Sequence, residues 1–295
     1  MISKRVLTAL LAGVLGLAAS ASAPMIARAQ ALPPPRPLVS GLDLECYRTA
    51  GPAPNITLSL TQLNPVLLQL GLPTHQVVVR ELVQTCVPVR KNNAIPAPGA
   101  LPFIRNIDFA CYRVDAAPLA NPIPLNLTHL NPVLANLPPH DVRLRQPAQL
   151  CLPIAKNGVL PPPAILNLVQ FIDLECYNVD AATHPVFTVG LTQLNPQLTA
   201  IAPHPMTLAS APRQVCVPVR KNQQAIPPAV LNIVRWIDLE KFAAAPVVTI
   251  NPPVDVELNH INPLLVNLPP VKVTLQHAEA LLVPVAKNGV FPPAD

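Results

Sequence analysis

A repeat of about 65 residues, present four times, constrains this chain more than any other feature of its sequence. In each copy an aspartate stands in an apolar stretch near the start, and a Lys-Asn pair stands near the end. Repeats of this length indicate an array of small units that bury their apolar faces against one another. The aspartates are Asp43, Asp108, Asp173 and Asp238, and the lysines are Lys91, Lys156, Lys221 and Lys287.

The repeat predicts the division of the chain. Residues 1–29 form a signal peptide, residues 30–39 a proline-rich N-terminal segment, and residues 40–103, 104–168, 169–233 and 234–295 form repeats 1 to 4. Repeats 1 and 3 share the motif LTQLNP, whereas repeats 2 and 4 have a histidine within it. This alternation suggests duplication of a two-unit block, with repeat 1 packed on repeat 2 and repeat 3 on repeat 4.

The N-terminal segment has the features of an export signal. Lys4 and Arg5 precede an apolar run over residues 6–18, which is shorter than the roughly 20 residues that a membrane-spanning helix needs. Ala27-Arg28-Ala29 is the better of two small-residue cleavage patterns, and no later run is long and apolar enough to span a membrane. We therefore expect a protein secreted to the periplasm or outside the cell, without membrane insertion.

The charge of the chain argues against nucleic acid as a partner. The whole chain carries a formal net charge of +5. Removing Lys4, Arg5 and Arg28 with the signal peptide leaves 17 of the 20 basic residues against 15 acidic ones. A nearly neutral chain without a basic run does not offer the phosphate contacts that nucleic-acid binding requires.

Six cysteines in an exported chain indicate disulfide bonds. Repeat 4 has Lys241 and Leu282 at the two cysteine positions, so both are lost together. We therefore favour pairing within each repeat, because pairing across neighbouring repeats would leave the first and last cysteines over. Each bridge closes about 40 residues and contributes roughly 4 kcal/mol in the chain-entropy model. The expected pairs are Cys46–Cys86, Cys111–Cys151 and Cys176–Cys216.

Apolar and polar residues alternate with period two along most of each repeat, which indicates β-strands. A proline two residues after the second cysteine places that strand at an edge or a bulge. The fold class that follows is all-β: four tandem units of about 65 residues, each a small β-sandwich or barrel-like unit with a short helical turn in a loop, packed as two pairs. The joints concentrate many of the 41 prolines and are expected to act as stiff spacers.

An Asn-Pro segment breaks the β pattern in each repeat, beginning at Asn64, Asn131, Asn195 and Asn262. Asparagine as N-cap and proline at the first helical position favour one or two helical turns. The apolar residues that follow form an interaction surface if they are exposed; the alternative is that they fill the cores or joints of the units. The candidate surface residues are Leu67, Leu70, Leu134, Leu198 and Leu265.

Two stretches of repeat 2 resemble a known signature. Cys111 to Val114 reads CYRV, and residues 150–158 read LCLPIAKNG. They are similar to the C-Y-x-V and L-C-x-P-V-x-K-N-G motifs of small tandem domains in bacterial secreted proteins. The resemblance covers residues 40–295 and implies a β-rich exported module without an assigned activity. Repeat 4 departs from the pattern because it lacks both cysteines.

Candidate residues for chemistry have simpler interpretations. One histidine per repeat precedes the second cysteine (His75, His140, His204) without a second ligand at metal spacing, and His129 and His260 share a place with glutamines that suggests solvent exposure. The Asp/Glu pairs are interpreted as charge partners of the recurring lysines rather than as calcium ligands. The Lys-Asn pairs are interpreted as turns rather than as a row of exposed lysines that binds acidic polymers. Because nucleophile, metalloprotease and phosphate-loop motifs are absent, we expect no catalytic, cofactor-binding or metal-binding residues.

These features together predict a secreted, non-catalytic repeat protein that acts as a structural or protein-binding module, with another protein or a second copy as partner. Two alternatives remain open. A carbohydrate-binding module would need aromatic side chains on an exposed face, and aromatic residues make up only 3% of the chain. An exported hydrolase with a cryptic site would need one repeat that gains polar groups.

Overall fold

The structure of the protein is a computed structural model that describes residues 31–134 and 136–295; the expected signal peptide lies outside these residues. The strands are β1 (Asp43–Gly51), β2 (Ile56–Gln62), β3 (His75–Lys91), β4 (Phe109–Asp115), β5 (Ile123–His129), β6 (His140–Lys156), β7 (Leu174–Ala181), β8 (Phe187–Gln193), β9 (His204–Lys221), β10 (Leu239–His260) and β11 (Val271–Lys287). The helices are α1 (Pro35–Ser40), α2 (Pro65–Gln69), α3 (Leu101–Ile104), α4 (Pro163–Val169) and α5 (Pro228–Val234), with 3-10 turns at Pro132–Leu134 and Pro196–Leu198.

The first and last strands of the four repeats pair in a closed antiparallel ring. Within repeats the pairs are β1–β3, β4–β6, β7–β9 and β10–β11. Between neighbouring repeats they are β3–β4, β6–β7, β9–β10 and, closing the ring, β11–β1. The all-β prediction is confirmed, but the four units share one sheet. Every repeat pairs with both of its neighbours, which differs from the expected packing as two pairs.

The middle strand of each repeat reaches a repeat two places away. β2 pairs with β3 and also with the end of β9, and β8 pairs with β9 and also with the end of β3. In the same way β5 joins β6 to β11, and the second half of β10 joins β11 to β6. The middle strand of repeat 1 therefore pairs with the last strand of repeat 3, and the middle strand of repeat 3 with the last strand of repeat 1. Repeats 2 and 4 are related in the same way, and we call this arrangement strand exchange.

All three expected disulfides are present: Cys46–Cys86, Cys111–Cys151 and Cys176–Cys216. Each joins directly opposite residues of paired strands. The bridges also adjoin one another, since the Cys86 and Cys111 sulfurs lie 3.7 Å apart. They belong to one buried apolar cluster together with side chains of α1, α3, α4 and α5. The cysteines thus stabilise one continuous core, although each bond stays within its repeat.

Repeat 4 has a polar contact in place of a bridge. Lys241, at the first cysteine position, is only 5% exposed. Its Nζ donates to the Oε1 atoms of Gln84, Gln149 and Gln214, which stand at one repeated position of repeats 1 to 3. The three carbonyl oxygens satisfy the donor capacity of the Lys241 amine, and burial lowers its pKa to about 7. Lys241 therefore ties repeat 4 to the other three.

The proline-rich joints begin short helices rather than forming extended spacers. α4 and α5 start at Pro163 and Pro228, and the chain before repeat 1 forms α1 at Pro35. Proline suits the first helical turn because that turn needs no N–H donor. The four joint helices contact one another in a cycle, α1–α3–α4–α5. No helix within the described residues has the length and apolarity to cross a membrane.

A buried polar network links each repeat to the next. Each repeated aspartate forms an ion pair with the repeated lysine of its own repeat, as Asp43 does with Lys91 at 2.5 Å. The capping asparagine of the following repeat donates to the same carboxylate, as Asn131 does to Asp43 at 2.6 Å. The charge pairing with the lysines is confirmed for the aspartates but not for the glutamates, which bond to tyrosine or histidine side chains instead. All four lysines are at most 1% exposed, which also rules out the less favoured alternative of an exposed lysine row.

The Asn-Pro segments form short helical turns as expected, but most of their leucines point inward. Leu67, Leu134, Leu198 and Leu265 are buried in the apolar cores, so they cannot form the exposed interaction surface that the sequence suggested. Leu70 alone of the five is exposed, at 42%. The reason is tertiary: the asparagine that caps each turn bonds to the aspartate of the preceding repeat, and the strand pairing with a repeat two places away brings the turns onto the shared cores.

Candidate metal centre

Four equivalent side-chain clusters lie on the strand face opposite to the disulfides, because successive residues of a strand point to opposite faces. Each combines two residues of a first strand with two residues from the repeat two places away. We number them by the repeat that supplies the first strand. Cluster 1 is Glu45, Tyr47, Gln193 and His204; cluster 2 is Ala110, Tyr112, His260 and Val271; cluster 3 is Glu175, Tyr177, Gln62 and His75; cluster 4 is Glu240, Phe242, His129 and His140.

Clusters 1 and 3 satisfy their buried carboxylates completely. In cluster 3 the Tyr177 hydroxyl and the Gln62 amide donate to Glu175 Oε2 at 2.6 and 3.1 Å, and His75 Nε2 lies 2.8 Å from Oε1. Cluster 1 repeats the arrangement around Glu45 at 2.6, 2.7 and 2.7 Å. The hydrogen bond to Glu175 raises the pKa of His75, and the bond to Glu45 raises the pKa of His204. All carboxylate oxygens of these two clusters are therefore hydrogen-bonded, although the Oε1 atoms of Gln62 and Gln193 are buried without a partner.

Cluster 4 lacks two of those donors. Phe242 replaces the tyrosine and His129 replaces the glutamine, so Glu240 keeps only the contact of Oε1 with His140 Nε2, at 2.7 Å. Glu240 Oε2 has no hydrogen-bond partner, and neither ring nitrogen of His129 has one. The side chains of Glu240 and His129 are 0% and 1% exposed, so bulk solvent does not reach these atoms.

Unpartnered buried polar atoms are costly, at about 1–3 kcal/mol each, and native proteins keep few of them. The ligand atoms of His129, His140 and Glu240 all lie within 4.8 Å of one another, and His129 Nε2 is 3.6 Å from Glu240 Oε2. A cation between the three groups would satisfy them together. The arrangement therefore matches a metal centre better than a structural polar contact.

The donor set indicates which metal the centre suits. Two imidazoles with one carboxylate are a recurring ligand set of Zn²⁺ sites, whereas Ca²⁺ and Mg²⁺ require mainly oxygen ligands. Burial lowers the pKa of His129 to about 3, which leaves its imidazole neutral and able to ligate. His140 bonds to the carbonyl of Pro138, a contact of the kind that orients metal-bound histidines through their second nitrogen.

A third histidine lies beside the centre. The ring of His184, in the loop before β8, is 5.0 Å from Phe242 and 6.5 Å from His140, measured between centroids. Its Nε2 is buried without a partner. His184 lies outside the group of three whose ligand atoms are mutually close.

This centre is not evident from the sequence, for two reasons. His129 was expected to face solvent, and that expectation is wrong because the residue is buried. Its partner Glu240 comes 111 residues later in the sequence, and no local spacing links the two. The available signal was a pair of substitutions. Repeat 2 has His129 where repeats 1 and 3 have a glutamine, and repeat 4 has Phe242 where they have a tyrosine.

Comparison of the chain with protein-family models, curated proteins and solved structures found no match.

Proposed function

We propose that this chain is an exported, non-catalytic β module that binds a divalent transition-metal ion of the Zn²⁺ type at cluster 4. One observation carries the proposal: Glu240 Oε2 and both ring nitrogens of His129 are buried without partners, whereas the equivalent glutamates of clusters 1 and 3 are fully hydrogen-bonded. The metal ion is what cluster 4 needs in place of the missing donors.

The role that follows is structural. The ligands come from repeat 2 (His129 and His140) and repeat 4 (Glu240), the two repeats that exchange strands. A bound ion would therefore hold repeats 2 and 4 together, as the glutamate networks hold repeats 1 and 3. Because the assembled ligand set exists only in the folded chain, the binding free energy would add to the folding free energy.

Three disulfides support the exported part of the proposal, since such bonds persist in oxidising compartments. Carbohydrate binding receives less support. All three tyrosines are buried and Trp236 packs partly against the core, so these aromatic side chains do not form the exposed platforms that a sugar would need.

Calorimetric titration of the chelator-treated protein with Zn²⁺ tests the proposal. We expect one equivalent to bind to the wild type. The double variant H129Q/F242Y, which installs the hydrogen-bond set of clusters 1 and 3, should fold and lose binding by more than about 100-fold. H75Q in cluster 3 is the matched control and should bind normally. Absence of saturable binding to the wild type, or equal binding by H129Q/F242Y, would overturn the proposal.

A further inference from the structure

Repeat 1 holds a buried carboxyl group between an amine and an amide. Lys91 Nζ lies 2.5 Å from Asp43 Oδ1, and Asn131 Nδ2 donates to the other oxygen, Oδ2, at 2.6 Å. Asn131 Oδ1 accepts from the backbone N–H of Val133 at 2.9 Å, which fixes the direction in which the Asn131 amide points. An amine and a hydrogen-bond donor therefore contact different oxygens of one carboxyl group.

Burial favours the neutral forms of the lysine and the aspartate. Desolvation raises the pKa of the Asp43 carboxyl and lowers the pKa of the Lys91 amine, against the attraction between the two charges. A proton that passes from Lys91 to Asp43 leaves a neutral carboxylic acid beside an amine with a free lone pair. Desolvated lysines of this kind are nucleophiles towards carbonyl carbons. Their conversion into an amide also removes the cost of keeping two ionisable groups buried.

We infer that Asp43 and Lys91 condense to an isopeptide bond, an amide between the two side chains. Lys91 Nζ attacks Asp43 Cγ, and the N–H of Asn131 stabilises the negative charge that develops on Oδ2. The bond between Cγ and Oδ1 then breaks, and Oδ1 leaves as water with its own proton and one proton from Nζ. The reaction needs no oxidant and no further reactant. The contact between Lys91 and Asp43 is the arrangement from which the bond forms.

A cavity of about 220 Å³ adjoins the reacting groups. Asp43, Lys91 and Asn131 all line it, together with Ile95 and Pro96. A water molecule takes up roughly 30 Å³ of liquid volume, so the cavity has room for the water that the reaction releases. Departure of this water makes the bond persist, because the reverse reaction needs a water molecule in contact with the amide.

Repeat 3 has the same three residue types but a different distribution of contacts. Lys221 Nζ and Asn262 Nδ2 both contact Oδ2 of Asp173, and Oδ1 of Asp173 has no hydrogen-bond partner. A negative charge on Oδ1 would therefore develop without a donor to stabilise it. We expect no bond between Asp173 and Lys221, which makes repeat 3 the matched control.

The bond would join β1 to the end of β3, the two strands that the Cys46–Cys86 disulfide also joins. Unlike the disulfide, an amide is not broken by reduction, so this strand pair would stay linked under reducing conditions. The inference is independent of the metal centre, because the two sites share no residue.

Mass spectrometry of the reduced and denatured wild type tests the inference. We expect its mass to fall below that of the mature sequence by one water molecule for this bond. Peptide mapping should assign the loss to two peptides, one with Asp43 and one with Lys91, that stay joined after reduction of the disulfides. Separate peptides of full mass, or a water lost within a single peptide, would overturn the inference.

The decisive variant is K91R. Arginine keeps the positive charge beside Asp43, but its guanidinium stays protonated and does not attack a carboxyl group. The mass deficit should therefore become smaller by one water, and the two peptides should separate. K221R makes the same change in repeat 3 and should leave the deficit and the joined peptides as in the wild type. An undiminished deficit in K91R would overturn the inference, and the wild-type peptide map decides it even if K91R does not fold.

Discussion

Clusters 3 and 4 occupy equivalent places in the fold, but only cluster 3 satisfies its own buried glutamate. Glu175 receives a tyrosine, a glutamine and a histidine, whereas Glu240 receives His140 alone. The difference is two substitutions at positions that the shared backbone places against the carboxylate. The repeated backbone therefore sets the positions of the side chains. Two substitutions then decide whether the buried glutamate is hydrogen-bonded by its neighbours or remains available to a ligand.

The largest expected effect comes from removing each glutamate charge in the absence of metal. E175Q disrupts three hydrogen bonds to a buried carboxylate and should lower the free energy of unfolding by about 3 kcal/mol. E240Q disrupts one such bond and removes a buried carboxylate charge that has few hydrogen-bond partners. It should therefore lower the free energy of unfolding by less than about 1 kcal/mol. Urea denaturation with a chelator measures both. Equal losses would show that Glu240 is as well partnered as Glu175, contrary to the account.

Zinc should change the stability of the wild type by a similar amount. At a free Zn²⁺ concentration of 100 times Kd, linkage predicts about 2.7 kcal/mol of added stability. H129Q/F242Y should show none of this gain, although its stability without metal should equal or exceed that of the wild type. Thermal denaturation with and without Zn²⁺ makes the comparison, and an equal zinc shift in both proteins would place the ion elsewhere.

Transplanting the cluster 4 residues into cluster 3 should create a second metal site. Q62H/Y177F gives cluster 3 the donor set of cluster 4, and the variant should bind two equivalents of Zn²⁺ instead of one. The new site should be weaker by about 10–100-fold, because the groups that orient its ligands have not been matched. Retained stoichiometry of one in a folded variant would mean that the four cluster residues are not sufficient.

The smallest effect is the pH dependence that the glutamate-bonded histidines of clusters 1 and 3 contribute. Hydrogen bonds with Glu175 and Glu45 raise the pKa values of His75 and His204 above the ordinary value of roughly 6.5, and the bond with Glu240 raises the pKa of His140 in cluster 4 in the same way. This contribution to stability is complete below the unfolded-state pKa and is lost as pH rises through the raised folded-state pKa. With a chelator present, the difference in denaturation midpoint between the wild type and H75Q/H204Q should therefore be largest below about pH 6.5 and should shrink as pH rises. A difference that does not change with pH would contradict the assignment.

Local patterns in the sequence were sufficient for part of this structure. The paired loss of the cysteines in repeat 4 led to the correct disulfides, and Asn64 followed by Pro65 led to a capped helical turn. Asp43 and its equivalents were correctly assigned to the recurring lysines. Each of these contacts lies within one repeat or one turn, where spacing carries the information.

The strand exchange could not be predicted in this way. Pairing of β2 with β9 joins residues about 160 positions apart, and one repeat contains nothing that specifies which other repeat it meets. The burial of Leu67 and the meeting of His129 with Glu240 both follow from that exchange. The candidate metal centre is therefore a product of tertiary structure, visible in the sequence only as a difference between alternate repeats.

An anomalous-diffraction map of zinc-soaked crystals, recorded at the zinc absorption edge, would locate the metal ion. We predict one strong peak in cluster 4, about 2.0–2.2 Å from nitrogens of His129 and His140 and from an oxygen of Glu240, and none in clusters 1 and 3. A map without that peak, with ordered water bonded to His129 and Glu240 Oε2 instead, would contradict this prediction.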